Sequence, residues 1–294
     1  MKKGGNIFTL ICFILLYAPI VILIFFSFNS LESTGVFGGF SLKWYESIIN
    51  NETAKGALVN SLIIAVTSSL VSTVIGTLAA LGISRLKNKI FKSAVMTVTN
   101  IPMVNPEIVT AVSMAFLFMA TLATFGFIKN DDTMDMIALL IAHITFCLPY
   151  VILAVLPKIR QMDKSQTEAA LDLGCKPLKA FFKVELPQLM PGIFTGMIMA
   201  FTMSFDDFVI SYFVRPKSTV QTLPLLIYSM TGKGTVTPDM YALSTFMIIA
   251  IFILLVLSNV ASSRDEIKAR REERKLRKRQ EAVSELFGAT VERG

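Results

Sequence analysis

Apolar residues gather in six runs along the chain, at roughly 7–28, 58–82, 94–119, 136–157, 192–213 and 240–261. Each is close to the ~20 residues that a helix needs to cross the hydrocarbon of a bilayer. The polar residues fall almost wholly between the runs, so the pattern predicts an all-α integral membrane protein with six transmembrane helices. The first run follows Met1-Lys2-Lys3, which has the look of a signal-peptide start. The run is too long for a signal h-region and no small-x-small cleavage site follows, so an uncleaved first span is expected.

Charge fixes the expected orientation. Of the 28 Lys and Arg, 22 fall in the N-terminus, the 83–93 loop, the 158–191 loop and the tail from Arg264; the three alternate loops share six. The positive-inside rule then places both termini in the cytoplasm of a cell-membrane protein. The net charge of +7 is thereby a record of topology and argues against nucleic acid as a partner. The 264–294 tail, basic with interleaved Glu272 and Glu273, reads as a charged cytoplasmic appendage to a 1–263 membrane domain.

Composition excludes most enzyme chemistry. With 53% hydrophobic and 17% charged residues the chain is too apolar for a soluble domain. A single histidine, His143, leaves no His-based metal site or triad, and it is expected to be a hydrogen-bonded packing residue. Three scattered cysteines form no metal or disulfide framework. No GxxxxGK[ST] occurs, so the chain has no phosphate loop of its own. No cofactor, metal or catalytic residue is expected.

The 158–191 loop is not linker-like. Ser165 and Glu168 form a capping-box pattern, Gly174 sits where a helix would end, and Pro177 suits the first turn of a second short helix that Pro187 and Pro191 would close. Glu168-Ala169-Ala170, then Gly174, Val184 and Leu186-Pro187, resembles the EAA loop of ABC importer permeases, pattern EAA-x3-G-x9-I-x-LP, with Val184 in place of Ile. The resemblance implies a type I importer permease fold with a coupling helix between spans four and five. Glu168, Ala169, Ala170 and Gly174 would dock on a separate ATP-binding subunit.

Three carboxylates lie inside the apolar runs: Glu107 in the third, Asp206 and Asp207 in the fifth. Charges at membrane depth are costly and mark ion or substrate paths. Both runs are expected to head outward, and at 1.5 Å per residue all three acids come to about 20 Å along their helices. Pro102 and Pro106 predict broken backbone beside Glu107. Carboxylates with freed carbonyls suit a cation, and Ser204 adds a polar group. On the residues alone, one aspartate could instead cap a broken helix, and Trp44, the only tryptophan, could be an interfacial anchor or an entrance contact. The stretches NPEIVTAVSMAFLFM (105–119), EAALDLGCKPLKAFFKVELPQLMPGI (168–193) and FTMSFDDFVISYFV (201–214) resemble the second permease subunit of spermidine/putrescine ABC importers, and the likeness extends over about 1–262. It implies uptake roles for Glu107, Asp206, Asp207, Trp44 and Glu168. The partners it implies are two copies of an ATP-binding subunit, a homologous permease, an extracytoplasmic polyamine-binding protein and membrane lipid. An importer permease for another solute, or a proton-coupled carrier, are the competing expectations.

Overall fold

The computed structural model describes residues 2–32, 35–125, 132–214, 220–231, 238–253 and 255–256. The basic tail and the far end of the sixth expected span lie outside them. The described residues fold into helices: α1 (Lys2–Phe26), α2 (Lys43–Asn50), α3 (Glu52–Arg85), α4 (Lys89–Val104), α5 (Glu107–Phe125), α6 (Asp132–Gln161), α7 (Lys164–Asp172), α8 (Pro177–Ala180), α9 (Leu186–Phe205), α10 (Val209–Val214) and α11 (Leu223–Thr231), with α12 (Pro238–Ile253) last.

Spans one, two and four are single long helices, α1, α3 and α6. The third is not straight: α4 and α5 meet at a bend of 105°. Pro106 has no N–H to continue the ladder, and Asn105 ends α4 in extended backbone at φ −78°, ψ 139°. The fifth expected span also breaks, at Asp206–Phe208, between α9 and α10.

The core is a three-helix contact of α3, α6 and α9. Membrane helices lack a water-driven force to associate and rely on close packing through small residues. Gly76 of α3 and Gly196 of α9 both press on Val151 of α6: a Cβ at Gly76 would stand 2.8 Å from the Val151 side chain, and one at Gly196 3.2 Å from its Cα. Ser61, Ser68, Ser69, Ser72, Thr73 and Thr77 line the buried face of α3. The hydroxyls of Ser69 and Thr73 are returned to backbone carbonyls of their own helix at 2.9 and 2.6 Å. α1, by contrast, leaves its apolar side chains exposed, Leu15 and Leu16 among them. That surface suits lipid or another subunit.

The 158–191 loop forms two short helices with details that differ from expectation. The N-cap of α7 is Asp163, whose side chain accepts from Ser165 N at 3.0 Å. The expected Ser165 cap is thus two residues late, because Asp163 reaches the free N–H groups first. Gly174, at φ +81°, closes α7: its N–H bonds Leu171 O at 2.9 Å and the Cys175 N–H bonds Ala170 O at 3.0 Å. That is a Schellman turn, which glycine adopts without strain. Pro187 and Pro191 do not end the second helix. A π-helical turn, Phe181–Glu185, passes directly into α9. Pro187 falls in the first turn of α9, where its missing N–H costs least.

Candidate substrate pathway

The two breaks are brought together, since α10 packs against α5. Glu107 stands in the first turn of α5, where a helix N-terminus favours negative charge. Asp206 is the C-cap of α9, with its N–H on Thr202 O at 3.1 Å. Its carboxylate lies within electrostatic reach of both Asp207 and Glu107. The three acids therefore form one negative cluster, and among the described residues no Lys or Arg forms an ion pair with any of them.

The two aspartates have opposite surroundings. Asp206 is exposed, as is Glu107. Asp207 is only 8% exposed and caps α10. Its carboxylate accepts from Ile210 N at 3.1 Å, Ser211 N at 2.9 Å and Ser211 Oγ at 3.1 Å. Asp207 takes the N–H groups of Ile210 and Ser211, which in a continuous helix would have gone to the carbonyls of Asp206 and Asp207 themselves. The fifth run is therefore not one continuous helix: α9 ends at Phe205 and α10 begins at Val209.

Behind Asp207 lies a buried polar chain across four helices. Ser68 Oγ of α3 donates to Ser204 Oγ at 2.8 Å. Ser204 Oγ lies 2.9 Å from His143 Nδ1 of α6. Nε2 on the other side of the ring faces Ser211 Oγ at 3.3 Å and the Asp207 carboxylate at 3.6 Å. Ser204 is thus enclosed by the bundle, at 4% exposure, on the inner side of the break. Packing helices bring Ser68, 136 positions away in sequence, to Ser204. Periodicity within α3 marks Ser68 as one of several small polar residues, but nothing local names its partner.

Trp44 is buried on α2, and its Nε1–H donates to Asn29 O at 2.6 Å. Asn29 pairs with Phe40 across a β-bridge, its side chain donating to Val36 O and accepting from Gly38 N, both at 2.8 Å. Tyr45 OH meets Ser27 Oγ at 2.7 Å, and Phe28 stacks between Phe40 and Tyr45. Trp44 therefore fastens a folded turn, with Lys43 Nζ 4.8 Å from its ring centroid.

At the other end of the molecule, Glu168, Ala169 and Gly174 are exposed on α7 and its closing turn, and Ala170 is half-buried. Leu173, Leu178 and Phe182 beside them are 89%, 76% and 61% exposed. An apolar surface of this kind around a short helix suits a protein partner. Glu185 of the π-turn faces Arg85 Nη2 at 3.4 Å and so ties the α7–α8 region to the end of α3. A cavity of about 660 Å³ opens there, lined by Arg85, Lys92, Arg160 and Glu168 among others.

The putrescine transport system permease protein PotI of Escherichia coli K12 is 36% identical over 83% of this chain and 85% of its own. The spermidine/putrescine transport system permease protein PotC of the same strain is 37% identical over 91% of this chain and 96% of its own. In structure, a bacterial ABC transporter involved in import of the acidic polysaccharide alginate matches with a TM-score of 0.70 at 16% identity, covering 90% of this chain and 95% of that one. That likeness shows the fold, the type I ABC importer permease fold. Residues 72–270 match the family model for binding-protein-dependent transport system inner membrane components. This multi-pass membrane chain, a permease with no catalytic role of its own, belongs to that family.

Proposed function

We propose that this chain is the permease subunit of an ATP-driven polyamine importer, supplying half of the path for spermidine or putrescine. The observation that carries the reading is the meeting of Glu107 and Asp206, both exposed, where two broken spans pack together. Helix N-termini at membrane depth would by themselves attract an anion. Here the chain's own acids occupy them, and the local field is negative. A flexible polycation is served by several carboxylates that each hold it moderately, so that it enters and leaves.

Within this path Glu107 and Asp206 meet the substrate, while Asp207 holds the break open. Ser204 acts through His143, as part of the support for Asp207. Trp44 shapes the outer turn near the entrance. A homologous permease completes the cavity, an extracytoplasmic binding protein delivers the polyamine, and two ATP-binding subunits engage Glu168, Ala169, Ala170 and the Gly174 turn. The exposed Leu173, Leu178 and Phe182 support that docking surface. ATP and magnesium belong to those subunits.

The test is uptake of labelled spermidine and putrescine by the complete complex in proteoliposomes. Glu107→Gln and Asp206→Asn should each abolish most uptake in complexes that still assemble. Normal uptake by the double variant would remove the pathway, and uptake of some other solute alone would reassign the substrate.

A further inference from the structure

The break at Asp206–Phe208 leads straight into a group of aromatic rings. Phe208 follows the aspartates, Tyr212 lies one turn further on α10, and Tyr228 comes from α11. Phe208 and Tyr228 have centroids 4.5 Å apart, Phe208 and Tyr212 5.4 Å, and Tyr212 and Tyr228 5.7 Å with planes at 75°. Each ring thus touches the other two.

This group is turned out of the bundle. Ile210, Ser211 and Val214 bury the inner face of α10, whereas Tyr212 and Tyr228 are 47% and 51% exposed. α11 is anchored from behind by Leu223 N on Ser61 Oγ at 2.7 Å and by Asn60 Nδ2 on Gln221 O at 3.1 Å. The packing of α10 and α11 therefore does not require aromatic residues on the outer side. One exposed phenol six residues from an exposed carboxylate, and another on a neighbouring helix, are poorly matched to hydrocarbon and well matched to an organic cation.

We propose that Phe208, Tyr212 and Tyr228 form an aromatic subsite that receives an alkylammonium segment beside the Asp206 carboxylate. The proposal rests on the polyamine-permease reading and adds a source of selectivity to it. Carboxylates alone attract any cation. A ring face also attracts an ammonium within about 6 Å, and the methylenes between ammonium groups gain by packing on it. Strongly hydrated inorganic ions gain neither. With both termini cytoplasmic, α10 runs outward from the break, so an incoming chain meets the rings and then the acids.

The experiment uses the complete complex with its binding protein in proteoliposomes, measuring the spermidine uptake rate at saturating liganded binding protein. Tyr212→Phe and Tyr228→Phe keep the ring and should stay within about twofold of the unsubstituted complex. Tyr212→Leu and Tyr228→Leu should each slow uptake about tenfold, in keeping with a desolvated cation–π contact. Phenylalanines of increasing fluorine content at position 228 should lower the rate stepwise, since fluorine drains the negative ring face without changing its shape. That series decides the matter if a leucine variant fails to assemble. A flat fluorine series, leucine variants equal to the unsubstituted protein, or phenylalanine as damaging as leucine would each overturn the subsite while leaving the polyamine reading intact. If the unsubstituted complex carries no polyamine, the underlying reading falls and the subsite with it.

Discussion

Asp206 and Asp207 are adjacent and chemically identical, yet their surroundings require their variants to fail in different ways. Asp207→Ala removes the acceptor for Ile210 N, Ser211 N and Ser211 Oγ. Losing an N-cap costs about 0.5–2 kcal/mol, and each buried donor left without a partner costs about 1–3 kcal/mol. The site offers little water to replace them, so a destabilisation of about 3–5 kcal/mol is expected by combining these. Asp207→Asn keeps only one of the two acceptor oxygens, so Ile210 N or Ser211 N loses its partner and about 1–3 kcal/mol is expected. Asp206→Asn removes no acceptor from the fold and should stay within about 0.5 kcal/mol of the unsubstituted protein. The assay is heat-induced loss of the monodisperse complex in detergent, followed by size exclusion, alongside spermidine uptake. The order expected in stability is Asp206→Asn, then Asp207→Asn, then Asp207→Ala least stable, with uptake lost in Asp206→Asn despite its stability. Equal thermal loss in Asp206→Asn and Asp207→Ala, or an Asp207→Ala complex as stable as the unsubstituted one, would refute the division of roles.

His143→Leu cuts the chain from Ser68 through Ser204 to Asp207 and leaves Ser204 Oγ and the carboxylate facing apolar surface; lower thermal stability is expected, with His143→Gln, which retains a donor toward Asp207, partly restoring it. Trp44→Phe removes the bond to Asn29 O and should loosen the outer turn by about 1–2 kcal/mol, seen as faster proteolysis between residues 29 and 43. Gly76→Val forces side-chain carbon into Val151 and should reduce the accumulation of folded protein, whereas Gly82→Ala, with nothing within 4 Å of its Cβ position, should be silent. Glu168→Lys should abolish co-purification of the ATP-binding subunit without altering the thermal stability of the isolated permease; undiminished co-purification would move the docking contact elsewhere.

Much of this protein is legible from the order of its residues. Membrane spans follow from run length because a buried backbone must satisfy its own hydrogen bonds, and that constraint is local. The break at Asn105–Pro106 and the turn at Gly174 follow likewise, since proline and glycine act on their own backbone. The α9–α10 break is different. Asp206-Asp207 in an apolar run marks something costly, but whether both acids ride on one helix or end two depends on whether Asp207 finds donors at Ile210 and Ser211. That competition is won by packing, because His143 meets Asp207 only after α6 packs against α9 and α10. Trp44 shows the same limit: a lone indole in an outer loop is equally a contact or a fastener until Asn29 O is found 2.6 Å away. Sequence determined that three acids fall inside apolar runs long enough to cross a bilayer. Tertiary structure decided which acid is buried and which is exposed, and which rings pack on Phe208, because those depend on partners far away along the chain.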